Sequence, residues 1–313
     1  MKNFYYPAMV LVAFILMSVS NRPVIILHQP ARNATVKNDP LRLFPLNVVT
    51  YNTAKNLLGP EDKLKNSLVL VYTKNGKGYV HDNIPSAVNC IKAMANANHF
   101  KVDVTDDPAI FKEADLKKYK LLIFTSTNND VFDTDEQRLA FRRYIEAGGG
   151  FVGVHSVTGT ERKWKWFKMM LGETFSWHAK FQPFSIKNIE PSHPSMQGMP
   201  AVWQREDECY FGKELYPGIK VLMAHDLQSL QTADSALINK NAGSFAHFYP
   251  AVWWQNFEGG NIWVTTLGHS KESYQEPVYI HHLLQGIKFI AGLYKGIDYS
   301  KATAVSKDAP LKK

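Results

Sequence analysis

Residues 148–156, Gly-Gly-Gly-Phe-Val-Gly-Val-His-Ser, constrain this chain more than any other stretch. The glycines close a helical pattern and open a continuous apolar run, which stops at His155. An unbroken apolar run of strand length suits a strand covered on both faces, as in the interior of a parallel sheet. In an open α/β sheet, ligands bind at the carboxyl ends of such strands. A residue on the turn that leaves the strand is held out for chemistry. An imidazole there can move protons or bind a metal, but it does not form the thioester of a cysteine nucleophile.

The pattern around this run is regular. Ser67–Tyr72, Lys101–Thr105, Tyr119–Thr125 and Ile262–Leu267 read as strands. Helical spacing runs from Ile84 to Ala97, with His81-Asp82-Asn83 as cap-like residues before it. A second helix opens at Asp133-Thr134-Asp135-Glu136 and is stopped by the glycines after Ala147. A third is expected from about Thr160 to Leu171, and a long amphipathic one from Pro277 to Tyr294. Strands alternating with helices predict a parallel sheet with crossover helices. Between Phe175 and Gln255 prolines break the apolar runs, which predicts a β-rich insert in the sheet rather than a separate domain.

The ends read differently. Lys2, the apolar stretch Pro7–Met17 and Ser18-Val19-Ser20 have the form of a signal peptide over residues 1–20. That stretch is short for a membrane span, so no stable membrane insertion is expected after cleavage, and the protein is expected in the periplasm or outside the cell. Residues 21–66 read as a leader wrapping the domain, 67–295 as the domain, and 296–313 as a basic, mobile tail. Of 313 residues, 36 are Lys or Arg and 28 Asp or Glu. The basic residues are scattered without a stripe of interleaved aromatics, so no nucleic acid partner is expected. The two cysteines, Cys90 and Cys209, form no zinc-ribbon spacing, and whether they pair stays open.

Two histidines, His155 and His269, end strands in this reading, and His81 lies near the end of the first. Parallel strands end at one sheet edge, so these three are expected to share a site. Glu208 can orient an imidazole and raise its basicity. Asp82, Asn83, Ser156, Trp177, Trp203 and Tyr210 are candidate substrate-binding residues, because flat aromatic faces suit the apolar faces of sugar rings.

The ordered motifs His81-Asp82-Asn83-Ile84-Pro85, Gly148 through Ser156, Pro191-Ser192-His193-Pro194, Asp207-Glu208-Cys209-Tyr210 and Thr266-Leu267-Gly268-His269-Ser270 resemble the ThuA-like, trehalose-utilisation family. The resemblance covers roughly Ser67 to Leu293 and departs from the usual pattern at Cys209. It implies an α/β fold of flavodoxin-like, class I glutamine amidotransferase-like type, with a mainly parallel sheet. In that scaffold His155 falls at the nucleophile position, so no glutaminase activity is expected. The family's tie to disaccharide catabolism, alongside dehydrogenases that oxidise glycosides at the third carbon, implies a sugar or keto-sugar ligand. The expected function is an exported enzyme acting on a disaccharide or 3-keto-glycoside, by isomerisation or glycoside cleavage. His155 and His269 would be base and acid, Glu208 the orienting group and His81 a further donor. The alternative is a sugar-binding module without chemistry. No cofactor is expected; a divalent metal on His81, His155, His269 and Glu208 is the other alternative.

Overall fold

Every residue of the strands β3 (Leu121–Thr125) and β4 (Gly150–Val154) is buried, because helices cover both faces of the sheet to which they belong. The computed structural model describes residues 63–231, 235–245 and 247–307. The proposed signal peptide and nearly all of the leader lie outside these residues. A nine-stranded sheet forms the frame, in the order β2-β1-β3-β4-β11-β10-β9-β6-β7. Its parallel half comprises β1 (Leu68–Tyr72), β2 (Lys101–Thr105), β3, β4 and β11 (Gly260–Thr265). The order 2-1-3-4-11 is that of a flavodoxin-like sheet.

The insert extends this same sheet. Strands β6 (Gln182–Asn188), β7 (Val202–Asp207), β9 (Lys220–Asp226) and β10 (Phe248–Phe257) add an antiparallel half. The strands β5 (Glu173–His178) and β8 (Tyr210–Leu215) pair separately as a two-stranded ribbon.

Helices α1 (Ile84–Asn98) and α6 (Pro277–Leu293) share one core cluster with the sheet, and α3 (Asp135–Glu146) and α4 (Lys165–Leu171) share another. A single turn, α2 (Glu113–Leu116), precedes β3. Thr134 and Gln137 close α3 with a reciprocal capping box. At its other end Gly148 takes φ +99°, the Gly148 amide bonds the Ile145 carbonyl and the Gly149 amide bonds that of Tyr144. This paired closure needs a residue at positive φ, which is why a glycine follows the helix.

Three departures from the sequence reading have physical causes. The helix expected from Thr160 begins only at Lys165. Glu161 sits instead at φ +48°, and its buried carboxylate accepts from the Val131 and Phe132 amides and pairs with Arg138. The helix α5 (Ser235–Ala242) falls within the insert read as β-rich. Residues 296–307 are docked rather than mobile. Glu146 Oε2 accepts from the amides of Thr303 and Ala304 at 2.6 and 2.9 Å, Arg143 donates to the Ala304 carbonyl, and Ala304 is buried. Residues 308–313 lie outside the described residues.

Cys90 and Cys209 are free thiols, both buried. Among the described residues, no helix is long and apolar enough to cross a membrane.

Candidate active site

The neighbouring parallel strands β1, β3, β4 and β11 bring their outgoing loops to one sheet edge. His81 lies on the loop after β1, Asn128 after β3, His155 directly after β4 and His269 shortly after β11. Glu208 reaches the same place from the turn between β7 and β8. The ring centroids of His81 and His155 are 4.5 Å apart, those of His81 and His269 5.5 Å, and those of His155 and His269 5.4 Å. Beside them opens a cavity of about 410 Å³, within the range of small-molecule sites at roughly 300–1,000 Å³.

His155 leaves β4 at φ +57°, a left-handed conformation that costs a non-glycine residue on the order of 1–3 kcal/mol. The elbow puts its imidazole beneath the cavity wall, fully buried. His155 Nδ1 is 3.1 Å from the Thr266 carbonyl, which can only accept, so Nδ1 carries the proton. Its Nε2 is then an acceptor, 3.1 Å from the Tyr210 hydroxyl. The Ser156 hydroxyl donates to the Thr127 carbonyl at 3.1 Å, so it can only accept from His81 Nδ1 at 3.2 Å. His81 is therefore also protonated on Nδ1 and keeps a bare Nε2.

The Glu208 carboxylate sits between His178 Nδ1 at 3.2 Å and His269 Nδ1 at 3.0 Å. The His269 contact has the length of an ion pair but not the angle of a directed hydrogen bond. The turn carrying His269 is gripped twice. Asp207 accepts from the amides of Gly268 and His269 at 2.8 and 3.1 Å, and Asn83 donates to the carbonyls of the same two residues at 2.8 and 2.9 Å. The Arg205–Asp207 ion pair at 2.8 Å fixes the first grip.

These surroundings push the imidazoles apart in basicity. Burial, then repulsion from His269, brings His81 down to about 4. Burial, with repulsion from His81 and His269, holds His155 well below the usual range. Burial opposes protonation of His269, but Glu208 at ion-pair distance, with the charge of Asp207 behind, outweighs it and raises His269 above 6.5. One cavity thus holds imidazoles tuned in opposite directions.

His81, Ser156, Glu208, Tyr210 and His269 line the cavity. His155 lies behind it, in contact with Tyr210. The other expected binding residues are elsewhere. Asp82 is 76% exposed and paired with Lys271 at 2.6 Å, which lowers its carboxyl. Asn83 is buried in the grip on the His269 turn rather than capping α1. Trp177 packs against Phe211 on the core, and Trp203 is buried with its indole N–H on Glu276 at 3.0 Å. The aromatic faces on the cavity are instead those of Tyr79, Phe175 and Tyr210, with Asn128, Gly159, Arg162 and His178 completing the wall. Of these, Asn128 had a signal in the sequence, since it follows the apolar run of β3. Cys209 is fully buried away from the lining, so its departure from the family pattern leaves the wall beside Glu208 to His178 and Tyr210.

One donor atom each from His81, His155, His269 and Glu208 lies within 4.8 Å of the others, a set of zinc-ligand types. The Nδ1 atoms of the three histidines face Ser156, the Thr266 carbonyl and Glu208, as the outer nitrogens of metal-binding imidazoles do.

A ThuA-like protein from Bacteroides uniformis shares the fold at 22% identity, with 73% of this chain and 92% of that one covered and a TM-score of 0.59. One from Parabacteroides merdae does so at 20% identity, covering 72% and 90%, with a TM-score of 0.57. No curated protein matches the chain by sequence. The model of the trehalose utilisation family ThuA matches residues 68–290, and the chain belongs to that family.

Proposed function

We propose that this chain is an enzyme of carbohydrate catabolism that moves protons beside the ketone of a keto-glycoside or related disaccharide. The carrying observation is the pairing of a neutral His81 with a His269 raised by Glu208 in one cavity. Environments that split two imidazoles in this way assign a base and an acid. The bare Nε2 of His81 takes the proton from the carbon next to the ketone. The electron pair forms an enolate, whose oxygen receives a proton from His269. Protonation of the former carbonyl carbon by His81, with the neighbouring hydroxyl returning its proton to His269, gives isomerisation. If the enolate instead re-forms the ketone, the glycosidic C–O bond at the carbon beyond breaks, a carbon–carbon double bond forms, and His269 gives its proton to the leaving oxygen. Such transfers contribute roughly 10²–10⁴-fold. His155, behind the wall, acts through Tyr210 as a positioning residue, which replaces the base role expected of it.

The leading Lys2 and apolar Pro7–Met17 support an exported protein. The test of the chemistry is incubation with a 3-keto-disaccharide in deuterated water, followed by NMR. Deuterium should enter at the carbon next to the ketone. Binding without exchange would mean a sugar-binding module.

A second reading is favoured by the four donor atoms within 4.8 Å. On it His81, His155, His269 and Glu208 would hold a divalent cation, which would supply Lewis-acid polarisation of the ketone. Metal analysis of the purified protein and exchange after chelation separate the two. Proton transfer by the imidazoles survives chelation, whereas cation-assisted exchange stops and returns with added zinc.

A further inference from the structure

The cavity has a polar wall that the proton-transfer pair does not use. Arg162 lines it. Its Nε donates to the Gly159 carbonyl at 2.8 Å, its Nη2 to Asn128 Oδ1 at 3.0 Å, and its guanidinium lies 5.4 Å from the Phe175 ring centre. None of these partners is an anion, and Nη1 takes part in neither bond. The nearby carboxylate of Glu208 is already engaged by His269 and His178.

The arm is built into the fold. Asn128 Oδ1 also accepts from the Asn129 amide, and its Nδ2 donates to the Tyr79 carbonyl, so it joins the loops after β1 and β3. A Cβ at residue 159 would lie 2.5 Å from Asn128 Oδ1 and 2.9 Å from Arg162 Nη2, so the Arg162–Asn128 bond requires glycine there. Glu161, adjacent to Arg162, is held left-handed by its bonds to the amides of Val131 and Phe132. A strained residue fixed in this way persists only where its surroundings over-determine it. The outcome is a guanidinium presented to the cavity with no carboxylate paired to it among the described residues. Its fork matches a carboxylate or phosphate, bound through paired N–H groups.

We infer that the sugar bound here carries an anionic group, a sugar-acid carboxylate or a phosphate ester, held by Arg162 with Asn128 in the cavity that contains His81 and His269. This rests on the proposed keto-sugar reading for the sugar and on the Arg162 arm for the charge.

The test is calorimetric titration of the full chain with a neutral 3-keto-disaccharide, its uronic-acid counterpart, a hexose phosphate and inorganic phosphate. At least one acidic sugar should bind about tenfold or more tightly than the neutral one. Whichever of uronate and phosphate ester gives that gain identifies the anion, and a gain with inorganic phosphate alone would overturn a sugar ligand. Arg162→Met should abolish the preference, and Arg162→Lys should restore part of it. Equal binding of neutral and acidic sugars to the unmodified protein overturns the inference without any variant. So does a preference that survives in Arg162→Met. Deuterium exchange without acid preference would sink this inference and leave the proposed chemistry standing. Acid preference without exchange into any keto-sugar would do the reverse.

Discussion

Asn83 and Asp207 grip one turn from opposite sides, the carboxamide on the carbonyls of Gly268 and His269 and the carboxylate on their amides. The residues are far apart in sequence, one before α1 and one at the end of β7. Between them they decide where the His269 imidazole meets Glu208. This is a positioning device, and its value should show in both stability and activity.

Asn83→Ala takes the side-chain donor from the His269 carbonyl and leaves that of Gly268 with the Tyr274 hydroxyl alone. The expected loss is about 1–3 kcal/mol in denaturant unfolding, together with a fall in proton exchange at unchanged sugar affinity. Asp207→Ala should cost more, about 3–5 kcal/mol, because it breaks the buried pair with Arg205, whose remaining carboxylate partner is Glu276 at 3.4 Å, and frees the two amides of the turn. Equal stability of the unmodified and Asn83→Ala proteins would show that the turn holds itself.

The pH–rate profile should have two limbs. His81 must be neutral, which places the acid limb near 4. His269 must be protonated, which places the alkaline limb above 6.5. Glu208→Gln removes the group that raises His269, so the alkaline limb should move to lower pH; the charge of Glu208 also raises His81, so the acid limb should move the same way. An alkaline limb unmoved by that substitution would remove His269 from the acid role.

Stability should fall on the acid side for a separate reason. Burial, with repulsion from Arg205, brings both His225 and His282 down to about 3. An unfolded imidazole titrates near 6.5. As pH falls below about 6.5 the unfolded state binds protons first, so stability is full above that value and is lost progressively toward 3. His81 and His155 act in the same direction. Each contributes on the order of 1 kcal/mol per pH unit in this window. Denaturant midpoints between pH 7.5 and 5 should fall accordingly, and His282→Gln should flatten the dependence. A midpoint constant over that range would contradict the buried neutral state.

The docked segment 296–307 predicts that truncation after Lys295 is harmful. It removes the amides of Thr303 and Ala304 from Glu146 and takes the buried Ala304 side chain out of its site. A loss of about 1–3 kcal/mol, or roughly 3–10 °C in Tm, is expected. An unchanged Tm would mean that the segment contributes nothing.

Much of this was legible because parallel strands obey a simple rule. Apolar runs mark β1, β4 and β11, and all parallel strands end at one edge, so the histidines following these three had to meet. The aromatic residues were less legible. Nothing in their spacing says that Trp203 faces Glu276 in the core while Phe175 faces the cavity. Arg162 was hidden because Thr160-Glu161-Arg162 looks like the start of a helix, and the left-handed Glu161 is stabilised by amides distant in sequence. The docking of residues 296–307 was not legible because it uses backbone N–H groups, which leave no mark in side-chain composition. Lysines then dominate the impression.

The scaffold also carries a negative expectation. Burial pushes the Cys90 thiol up to about 12 and the Cys209 thiol well above its usual range, and neither is at the β4 elbow. A thiol raised in this way is inert. Glutamine should not be hydrolysed, and replacing both cysteines by alanine should leave sugar-directed activity intact. Ammonia release from glutamine that depends on either cysteine would overturn this.

The most direct measurement compares solvent deuterium exchange into a 3-keto-disaccharide by the unmodified protein and by His81→Gln. Glutamine keeps the size and some hydrogen bonding but cannot take a proton. Exchange should fall by about two orders of magnitude or more, while calorimetry shows sugar affinity within about twofold, well under the 1.4 kcal/mol that a tenfold change represents. Exchange at the parent rate in His81→Gln would contradict proton transfer by the paired imidazoles.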